Sequence, residues 1–473
     1  MSSSFFTRSG RAPFSPILTR LARPIMKLLH PNAWKATRSS NQRVRQGEGS
    51  PVPAKILIHA INYAPELIGC GKYTTELARY LRTTGCQIEV VTAPPHYPGW
   101  YVREPYRALA YASEILDGIK ITRCPMLMKT DGGGLWRLLA PLSFALAAAP
   151  MVAWRVFRFR PDVVMCVEPT LFSAPVAMLA AKLVGARTLL HVQDLEVDAA
   201  FGVGHIKGEP IKKAGFFLER LLLAQFDCIV TISQKMRAAL LAKGLDPAKV
   251  EVLRNWVDTG AIAPTPKAGN AFRAALDIDD DAFVALYAGH LGVKQALDVV
   301  VAAARRLRER GDIRFVIAGA GPLSEALKEA SADLPNVRYL PLQPVERLNE
   351  LLGMADLHLL PQHRGVADLV MPSKLGGMLA SGRPIVAAAD PGSELFDVLT
   401  DVALLTPAGD DAALAAAIEQ AAARDLSDCV KSGLRLAETL SSAQLLARFE
   451  NLLLEQFRQP VVDPAANRAA ELA

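Results

Sequence analysis

The sequence predicts an α/β protein of two doubly wound parallel-sheet domains whose strand ends face a common cleft. Three observations predict this fold. The chain has 473 residues, which is more than one ordinary hydrophobic core organises. Short apolar runs rich in β-branched residues alternate with amphipathic helical stretches, as strands and helices do in parallel sheets covered on both faces. This alternation occurs twice, and a Pro/Gly/Ala-rich segment separates the two series.

Composition narrows the class of protein. Hydrophobic residues make up 51% of the chain and aromatic residues only 7%, a mixture typical of a helix-rich soluble α/β protein. The six cysteines are scattered and form no C-x-x-C pair, which argues against a zinc site or a disulfide framework. We therefore expect reduced thiols and a cytoplasmic location.

The first series begins with KILIHAI, a buried-strand pattern at Lys55–Ile61. The Pro/Gly-rich loop NYAPELIGCG then leads to the helical stretch KYTTELARYLRTTG, which Gly85 closes. Further strands are predicted at Gln87–Ala93, Asp162–Glu168, Thr188–Gln193 and Cys228–Ser233, with a helix at Phe216–Gln225 among their connections.

The second series follows a linker near Thr259–Asn270. Strands at Phe283–Gly292 and Arg314–Pro322 alternate with helices at about residues 294–310 and 323–331, and further strands lie near residues 337, 357 and 385. A last helix, Ala443–Phe457, could fold back against the first domain.

The chain is accordingly divided into five parts: a basic N-terminal arm, residues 1–53; an N-terminal Rossmann-like domain, residues 54–258; a C-terminal Rossmann-like domain, residues 271–442; a C-terminal helix, residues 443–458, packed on the N-terminal domain; and a tail, residues 459–473. Ligands of such sheets sit beyond the carboxyl ends of the strands, so the two domains together predict a ligand cleft.

The net charge of +6 is concentrated in the first fifty residues. They hold nine basic residues and one acid, a local charge of +8, so the remainder is near −2 and no nucleic-acid partner is expected. Three interpretations of the arm compete: a disordered extension, a membrane-surface segment in SPILTRLARPIMKLLH, and a cleaved secretory signal. Pro24 interrupts a continuous helix there, and no uninterrupted apolar core of a secretory signal follows the charges.

A second segment could contact lipid. LLAPLSFALAAAPMVAW, at Leu138–Trp154, has 17 residues and is followed by three arginines. It is short for a membrane span and Pro141 and Pro150 interrupt it. We favour a helix at the protein surface or membrane face over a true span.

Glycine-rich loops follow several predicted strands. In the first, Gly69 and Gly71 flank Cys70 before a helix, where backbone N–H groups can approach an anion. A tight strand-to-helix turn explains this spacing as well. Thr74 breaks the G-x-G-x-x-G pattern, which argues against a dinucleotide fingerprint.

Two further loops lie in the second series. AGHLGVKQALDVV places Lys294 after Gly289 at the start of a helix, where an ammonium would neutralise a phosphate. A solvated surface lysine fits this pattern too. GAGP adds Gly319 and Gly321 after another strand.

The stretch MPSKLGGMLASGRPIV supplies the last of these loops. Ser373 suits a helix N-cap and Lys374 the first turn, so amide dipoles and Lys374 could hold a diphosphate. Gly376 and Gly377 each cost a helix about 1 kcal/mol relative to alanine. They would let the backbone lie against a ribose, or they would only permit close helix–strand packing.

Four segments in this order and spacing resemble retaining GT-B glycosyltransferases of the family 4 type: KILIHAINYAPELIGCGKYTTELARYL, YAGHLGVKQALDVV, IAGAGP and MPSKLGGMLASGRPIV. The likeness is to the colanic-acid-biosynthesis type, in which P-S-K-L and A-G-x-x-G-x-K-Q recur, and it covers about residues 54–458. It implies a nucleotide-diphosphate sugar in the C-terminal domain and an acceptor on the N-terminal domain.

The resemblance also implies roles for individual residues. Lys294 and Lys374 would contact the diphosphate, and Asp194 would face the acceptor hydroxyl. His96 is a candidate for the acceptor pocket or a plain turn residue, and His191 is expected to be a packed core histidine. No metal or other cofactor is needed in this family type, because basic side chains and helix dipoles stabilise the leaving diphosphate. The implied donor-site residues are Gly69, Gly71, Gly289, Lys294, Gly319, Gly321, Pro372, Ser373, Lys374 and Leu375.

Two positions depart from the family pattern. Many relatives carry two glutamates separated by seven residues in the donor domain, and the second binds the ribose. Here that place is Gly377, and the first falls near Leu369, beside Asp368. His290 stands where many relatives carry an arginine.

The resulting hypothesis is a cytoplasmic enzyme, peripheral to the inner face of the cytoplasmic membrane, that makes a surface polysaccharide or exopolysaccharide. It would transfer a sugar, with retention of configuration, from a nucleotide-diphosphate sugar to a saccharide or polyprenyl-linked acceptor. A nucleotide-sugar epimerase is the alternative enzyme, and it would need matched carboxylates across the cleft. A catalytically silent donor-binding subunit of a polysaccharide assembly complex is the non-enzymatic alternative, which the missing glutamate favours.

Overall fold

The computed structural model describes residues 54–66, 69–97, 99–129, 134–169, 171–195, 209–363 and 371–458. The predicted disordered or membrane-surface arm, residues 1–53, and the tail, residues 459–473, lie outside the described residues. Within the described residues the chain forms two sheets, of eight and six strands. The predicted pair of parallel-sheet α/β domains is confirmed, and the sheets lie on the expected sides of the 259–270 segment. The domain boundaries themselves stay predictions.

The strands of the first sheet are β1 (Lys55–His59), β2 (Gln87–Thr92), β3 (Ala112–Leu116), β4 (Ile119–Arg123), β5 (Val163–Glu168), β6 (Arg187–Val192), β7 (Cys228–Thr231) and β8 (Val250–Val252), in the order β3-β4-β2-β1-β5-β6-β7-β8. The strands of the second are β9 (Phe283–His290), β10 (Ile313–Ala320), β11 (Val337–Leu340), β12 (Leu357–Leu360), β13 (Ile385–Ala388) and β14 (Leu404–Thr406), in the order β11-β10-β9-β12-β13-β14.

The α-helices connect and cover these strands. In chain order they are α1 (Cys70–Thr83), α2 (Gly134–Phe159), α3 (Ala174–Val184), α4 (Glu209–Leu223), α5 (Gln234–Ala242), α6 (Ala271–Ala275), α7 (Leu297–Arg306), α8 (Ser324–Ala330), α9 (Leu348–Gly353), α10 (Leu375–Ala380), α11 (Glu394–Leu399), α12 (Asp411–Ala423), α13 (Ser427–Thr439) and α14 (Ser442–Arg458).

Central strands are buried because helices cover both faces of each sheet. All six residues of β5 are buried, as are four of the five residues of β1 and five of the six of β6. Such strands read as nearly continuous apolar runs rather than as alternating patterns. This is why the sequence located them to within one or two residues.

One edge of the first sheet differs from the expected purely parallel arrangement. The strands β3 and β4 form an antiparallel hairpin that the sequence analysis did not identify. Its turn is Asp117-Gly118, with φ of 53° and 73°, and a two-residue Asp-Gly loop suits a hairpin because its twist matches that of the strands. The edge strand β3 has no buried residue, so it lacks the apolar run that identified the others.

The apolar segment Leu138–Trp154 forms part of α2, which continues to Phe159. By length and composition α2 is the one helix in the described part of the chain that could cross a membrane. One row of it is nevertheless buried, and Arg155 pairs with Glu89 of β2 at 2.5 Å. These contacts make α2 a layer of the N-terminal domain. The buried row, here called the inner row, consists of Ala140, Phe144, Ala148, Val152 and Val156.

Backbone pairing joins the segment after β8 to the end of the second domain. The amide of Val257 donates to the Leu440 carbonyl at 2.9 Å, and the Ser442 amide donates to the Val257 carbonyl at 2.8 Å. The adjacent Trp256 packs edge-on against Tyr73 of α1, with ring centroids 5.3 Å apart. The segment is therefore fixed to both halves of the chain rather than free between them.

The last helix, α14, lies against elements of the first sheet. Tyr80 of α1 donates a hydrogen bond to Glu450 at 3.2 Å. The ring of Phe449 packs on His191 of β6, with centroids 5.1 Å apart. The chain thus crosses back to the N-terminal domain before it ends.

Gly376 and Gly377 of α10 pack against the same connecting segment. A Cβ added at Gly376 would lie 2.9 Å from the Cβ of Val257. A Cβ at Gly377 would lie 3.3 Å from Leu352 Cδ1 and 3.5 Å from Ile262 Cδ1. Both glycines therefore meet apolar side chains, so the packing alternative holds and the backbone is not bared there for a ribose.

We expect Gly376→Ala to lower the free energy of unfolding. The new methyl group overlaps Val257, and such overpacking costs about 1–3 kcal/mol, which exceeds the gain of up to about 1 kcal/mol from helix propensity. Gly377→Ala is the matched control, because its nearest neighbour is the end of a flexible side chain, and it should change stability by less than about 1 kcal/mol. Urea denaturation measures both, and equal losses would contradict the close packing of Gly376 on Val257.

Candidate functional site

Two paired glycines mark the carboxyl ends of β9 and β10. The register places Gly289 opposite Gly319, with φ of 151° and 149°, a region that only glycine adopts readily. A Cβ at Gly319 would lie 1.8 Å from the Gly289 carbonyl oxygen, and one at Gly321 would lie 2.3 Å from the Leu291 carbonyl oxygen. No side chain fits at these strand ends, so the backbone itself forms the surface of the candidate site.

Lys374 fills the space next to Gly289. A Cβ at Gly289 would be 3.5 Å from Lys374 Cδ and 3.6 Å from its Nζ. The ammonium lies over the ring of Tyr287, 3.8 Å from the centroid. Such a cation–π contact offsets desolvation only in part, by about 0.5–2 kcal/mol.

The Nζ atom of Lys374 is buried and has no hydrogen-bond partner among the described residues. Burial lowers the pKa of this ammonium to about 7, because a charge without a compensating partner is unfavourable in an enclosed site. A buried donor with no acceptor costs free energy. The arrangement would accommodate an anion that supplies the missing acceptor oxygens.

His290 lies beside this ammonium. Its own burial lowers the pKa of the imidazole, and the positive charge of Lys374 lowers it further. The hydroxyl of Tyr287 donates to the His290 carbonyl at 2.6 Å, which fixes the end of β9. Two groups that become positive on protonation therefore share the site, a placement that favours a negatively charged ligand.

Ser373 connects this cluster to the N-terminal domain. Its side chain lies close enough to the hydroxyl of Tyr73, on α1, to oppose in part the rise in pKa that burial causes in that phenol. The expected N-cap role of Ser373 is wrong, since Lys374 occupies the cap position of α10 and Leu375 begins the helix. The amide of Leu375 donates to the Pro372 carbonyl at 3.0 Å, so residues 372–375 form a tight turn with Ser373 directed across the cleft.

The first glycine loop lies on the facing side. Gly69 is the residue before α1 and has φ of 63°, so it needs the freedom of glycine. A Cβ at Gly71 would lie 3.1 Å from the Cβ of Glu66 and 3.2 Å from its Oε2. The spacing of the two glycines therefore has a structural cause, which is a sharp turn followed by close packing on a glutamate.

Glu66 is a buried carboxylate that sequence reasoning did not single out. Its Oε1 accepts the backbone amides of His96 and Tyr97 at 2.7 and 2.8 Å, and its Oε2 accepts from Asn62 Nδ2 at 2.8 Å. Hydrogen bonds to a charged acceptor are stronger than neutral ones. Glu66 thus ties the loop after β2 to the loop before α1.

His96 is enclosed between this carboxylate and an aromatic ring. Its Nδ1 lies 2.9 Å from the Pro94 carbonyl oxygen and 3.5 Å from Glu66 Oε1, and its ring meets Trp100 edge-on at 5.9 Å. Because a carbonyl can only accept, Nδ1 carries a proton, so Nε2 is the ring nitrogen that faces a ligand as acceptor whenever the ring holds a single proton. These contacts fix the position of the His96 ring, which a residue that serves only a turn would not need.

Asp194 and Lys294 are exposed, in contrast to Lys374. Asp194 lies two residues beyond β6, at the carboxyl edge of the first sheet. Lys294 lies on a single 3₁₀ turn, Val293–Gln295, rather than in the helix predicted from residue 294. Both remain at strand-end loops facing solvent, where a substrate could reach them.

His191 is a core histidine, as predicted. It is buried in β6 and its Nε2 lies 2.9 Å from Gln193 Nε2. Burial lowers the pKa of the ring to about 3, so the ring is neutral at physiological pH.

Among the residues that the structure describes, no group of three or more His, Cys, Asp or Glu side chains is placed to hold a metal ion. The expected independence from metal stays a prediction. The residues that sequence reasoning missed are Glu66, Tyr73 and Tyr287. Glu66 stands in the quoted loop NYAPELIGCG, but a single carboxylate in a loop gives no sign of the backbone amides it will meet.

We expect Glu66→Ala to release the loop at residues 96–97. It leaves one buried and one partly buried amide donor without an acceptor, which should cost about 1–3 kcal/mol of unfolding free energy. Hydrogen exchange at the amides of His96 and Tyr97 should accelerate, as mass spectrometry would detect. Glu66→Gln should restore most of the protection because its side-chain oxygen can still accept. Glu450→Ala, which removes one peripheral acceptor, should leave both amides unchanged, and slow exchange in Glu66→Ala would contradict the assignment.

Comparisons with known proteins agree with this architecture. A family model described as a glycosyl transferase 4-like domain matches residues 69–256, and one described as glycosyl transferases group 1 matches residues 282–424. The chain is 40% identical over 348 residues to WcaI of Escherichia coli (strain K12), described as a putative colanic acid biosynthesis glycosyl transferase. That match covers 72% of this chain and 84% of the relative.

Solved structures show the same fold at low sequence identity. Sucrose-phosphate synthase from Thermosynechococcus elongatus superposes with a TM-score of 0.67 at 16% identity, over 85% of this chain and 99% of that one. HepE of Anabaena, solved with UDP and glucose, superposes with a TM-score of 0.60 at 15% identity, over 85% and 100% of the two chains. Neither the epimerase nor the silent-subunit alternative is favoured by these matches. The chain belongs to the glycosyltransferases of the family 4 type, with the GT-B fold of two parallel-sheet domains.

Proposed function

We propose that this glycosyltransferase moves a sugar from a nucleotide-diphosphate sugar to a lipid-linked, polyprenyl-type saccharide acceptor, with retention of configuration. The reaction would serve the synthesis of a surface polysaccharide or exopolysaccharide on the cytoplasmic side of the membrane. The description of the relative WcaI supports the polysaccharide assignment. The complex of HepE with UDP and glucose supports a nucleotide-sugar donor.

The observation that carries the proposal is the enclosed ammonium of Lys374. It lies at a backbone surface formed by Gly289 and Gly319 and has no hydrogen-bond partner among the described residues. A diphosphate at this place would accept from Lys374 and from backbone amides at the strand ends. As the bond to the sugar breaks, the same donors would offset the charge that develops on the leaving diphosphate.

Lys294 and the first glycine loop would complete the donor site. The exposed side chain of Lys294 is free to reach a bound phosphate from the loop after β9. Gly69 and Gly71 lie at the start of α1, the helix whose Tyr73 lies near Ser373, and so could cover the diphosphate from the N-terminal domain. Covering the donor would exclude water and limit its hydrolysis.

The acceptor would bind on the N-terminal side of the cleft. Asp194 would face its attacking hydroxyl, and the Nε2 atom of His96 would accept a hydrogen bond from another acceptor hydroxyl. In a retaining transfer the acceptor attacks from the face that the diphosphate leaves. The negative charge of the leaving diphosphate would then stabilise the adjacent positive charge on the sugar.

Diphosphate binding is expected to take up a proton above pH 7. In the free protein the pKa of Lys374 is about 7, so at pH 8 most molecules carry a neutral amine. A bound diphosphate favours the ammonium and raises that pKa. At pH 8 the binding of UDP should therefore be accompanied by uptake of on the order of 0.9 proton by Lys374. Its affinity should fall as the pH rises from 7 towards the raised pKa.

Calorimetry in buffers of different ionisation enthalpy measures this uptake. Lys374→Ala should weaken UDP binding and abolish the proton uptake. The control is Lys294→Ala, which should weaken binding but retain the uptake. Heats of UDP binding that are the same in all buffers for the wild type would refute the role of Lys374.

Asp194→Asn is expected to lower the turnover number for sugar transfer by more than about tenfold if its carboxylate assists the acceptor hydroxyl. UDP affinity should stay at the wild-type value, because the side chain lies on the other domain. Release of UDP from a panel of UDP-sugars, with and without a saccharide acceptor, measures turnover. Wild-type turnover in Asp194→Asn would remove that residue from the mechanism.

A further inference from the structure

The outer face of α2 carries an exposed apolar row. Leu146 is 72% exposed and Trp154 is 53% exposed. Residues three or four apart share one side of a helix, so the members form a continuous stripe about 22 Å long at 1.5 Å per residue. This outer row consists of Leu142, Leu146, Pro150, Trp154 and Phe157, all of them exposed.

Such a row is unusual on a helix of a soluble domain. A helix at the surface normally packs its apolar side inward and presents charged or polar side chains outward. The inner row of α2 is already buried against the domain, so the outer row is a second apolar side with nothing in the described part of the chain to cover it. A contiguous exposed apolar surface of this kind marks a contact with a partner or a membrane.

The charges on α2 indicate which contact is made. Every charged residue in its sequence is an arginine: Arg137, Arg155 and Arg158. Arg155 turns inward to Glu89, whereas Arg158, at the end of the outer row, and the following Arg160 are exposed. Basic side chains beside an apolar row match anionic headgroups beside acyl chains. A second copy of the chain would cover the row, but α2 would bring no acidic residue to these arginines.

Neighbouring side chains widen the same surface. Tyr111 is exposed and its hydroxyl donates to the Ala147 carbonyl at 2.8 Å. Leu127 is also exposed, and its amide donates to Ser143 Oγ at 2.9 Å. Tyrosine and tryptophan favour the membrane–water interface because one part of the ring system is apolar and the other polar.

We propose that the outer row, with Arg158 and Arg160, docks the N-terminal domain on an anionic lipid bilayer. The helix lies in the plane of the interface rather than across the membrane, because its inner row and the Arg155–Glu89 pair stay packed on the domain. Apolar contact and attraction between arginines and anionic lipid act together at such a surface.

The N-terminal end of the docked surface lies towards the carboxyl edge of the first sheet, which is the acceptor side of the cleft. The ring of Phe144, between Leu142 and Leu146 in the sequence, stacks on His59 with centroids 5.6 Å apart. His59 is the last residue of β1, and the loop that follows carries Glu66. A lipid-linked acceptor in the bilayer would therefore approach the cleft from the N-terminal end of α2. That approach rests on the proposed function, whereas the docking itself does not.

Co-sedimentation of the full chain with vesicles tests the docking. The wild type should bind vesicles of phosphatidylcholine with phosphatidylglycerol, with an affinity that falls as salt rises. The double variant Leu146→Ser/Trp154→Ser should bind them at least about tenfold more weakly, because two apolar side chains no longer insert. The variant Arg158→Ser/Arg160→Ser should lose the preference for phosphatidylglycerol over pure phosphatidylcholine.

The matched control is Leu342→Ser/Val345→Ser, which removes two apolar side chains, each 59% exposed, from the C-terminal domain. It should bind vesicles as the wild type does. The docking is overturned if Leu146→Ser/Trp154→Ser also binds as the wild type does, which would assign the contact to another segment such as residues 1–53. It is equally overturned if light scattering finds a dimer that this variant dissociates. Proton uptake on UDP binding should be unchanged in every variant, so failure of the docking and failure of the donor site are separately visible.

Discussion

The candidate donor site depends on one constraint, which is the burial of the Lys374 ammonium without a hydrogen-bond acceptor among the described residues. Burial without an acceptor costs the protein stability, and the ring of Tyr287 offsets only part of that cost. The glycines at the ends of β9 and β10 keep side chains away from the same place. The geometry of the site is therefore present without a ligand, but the buried ammonium lacks an acceptor. An anionic ligand would supply that acceptor.

The two halves of the chain meet at neighbouring residues. Ser373 lies near the Tyr73 hydroxyl of the N-terminal domain, and the next residue, Lys374, faces Gly289 of the C-terminal sheet. On the N-terminal side, Glu66 holds the loop that carries His96 through two backbone amides. A ligand at Lys374 would thus lie within reach of both domains, which a two-substrate transfer requires.

The helix α2 has two apolar sides. Its inner row completes the N-terminal core, and an arginine within the helix is paired with Glu89 of the sheet. Its outer row leaves an apolar surface that begins near the carboxyl edge of the first sheet and ends at exposed arginines near the amino edge. A polar outer face would stabilise a soluble domain equally well, so the apolar outer face needs a reason outside the fold, and the proposed contact with lipid would supply one.

The sequence by itself determined the two parallel-sheet domains, most buried strands, the family and the glycine-rich strand ends. These features depend on local patterns, namely apolar runs, turn residues and short motifs, that need no knowledge of distant contacts. Only the tertiary structure decided that Gly376 and Gly377 pack against apolar side chains, that β3 and β4 form an antiparallel edge, and that Lys374 is enclosed while Lys294 is exposed. It also decided that Glu66 binds residues thirty positions away. Each of these features depends on which segments of the chain contact each other in the folded protein. Burial, pKa and packing are set by those contacts and not by the residue type alone.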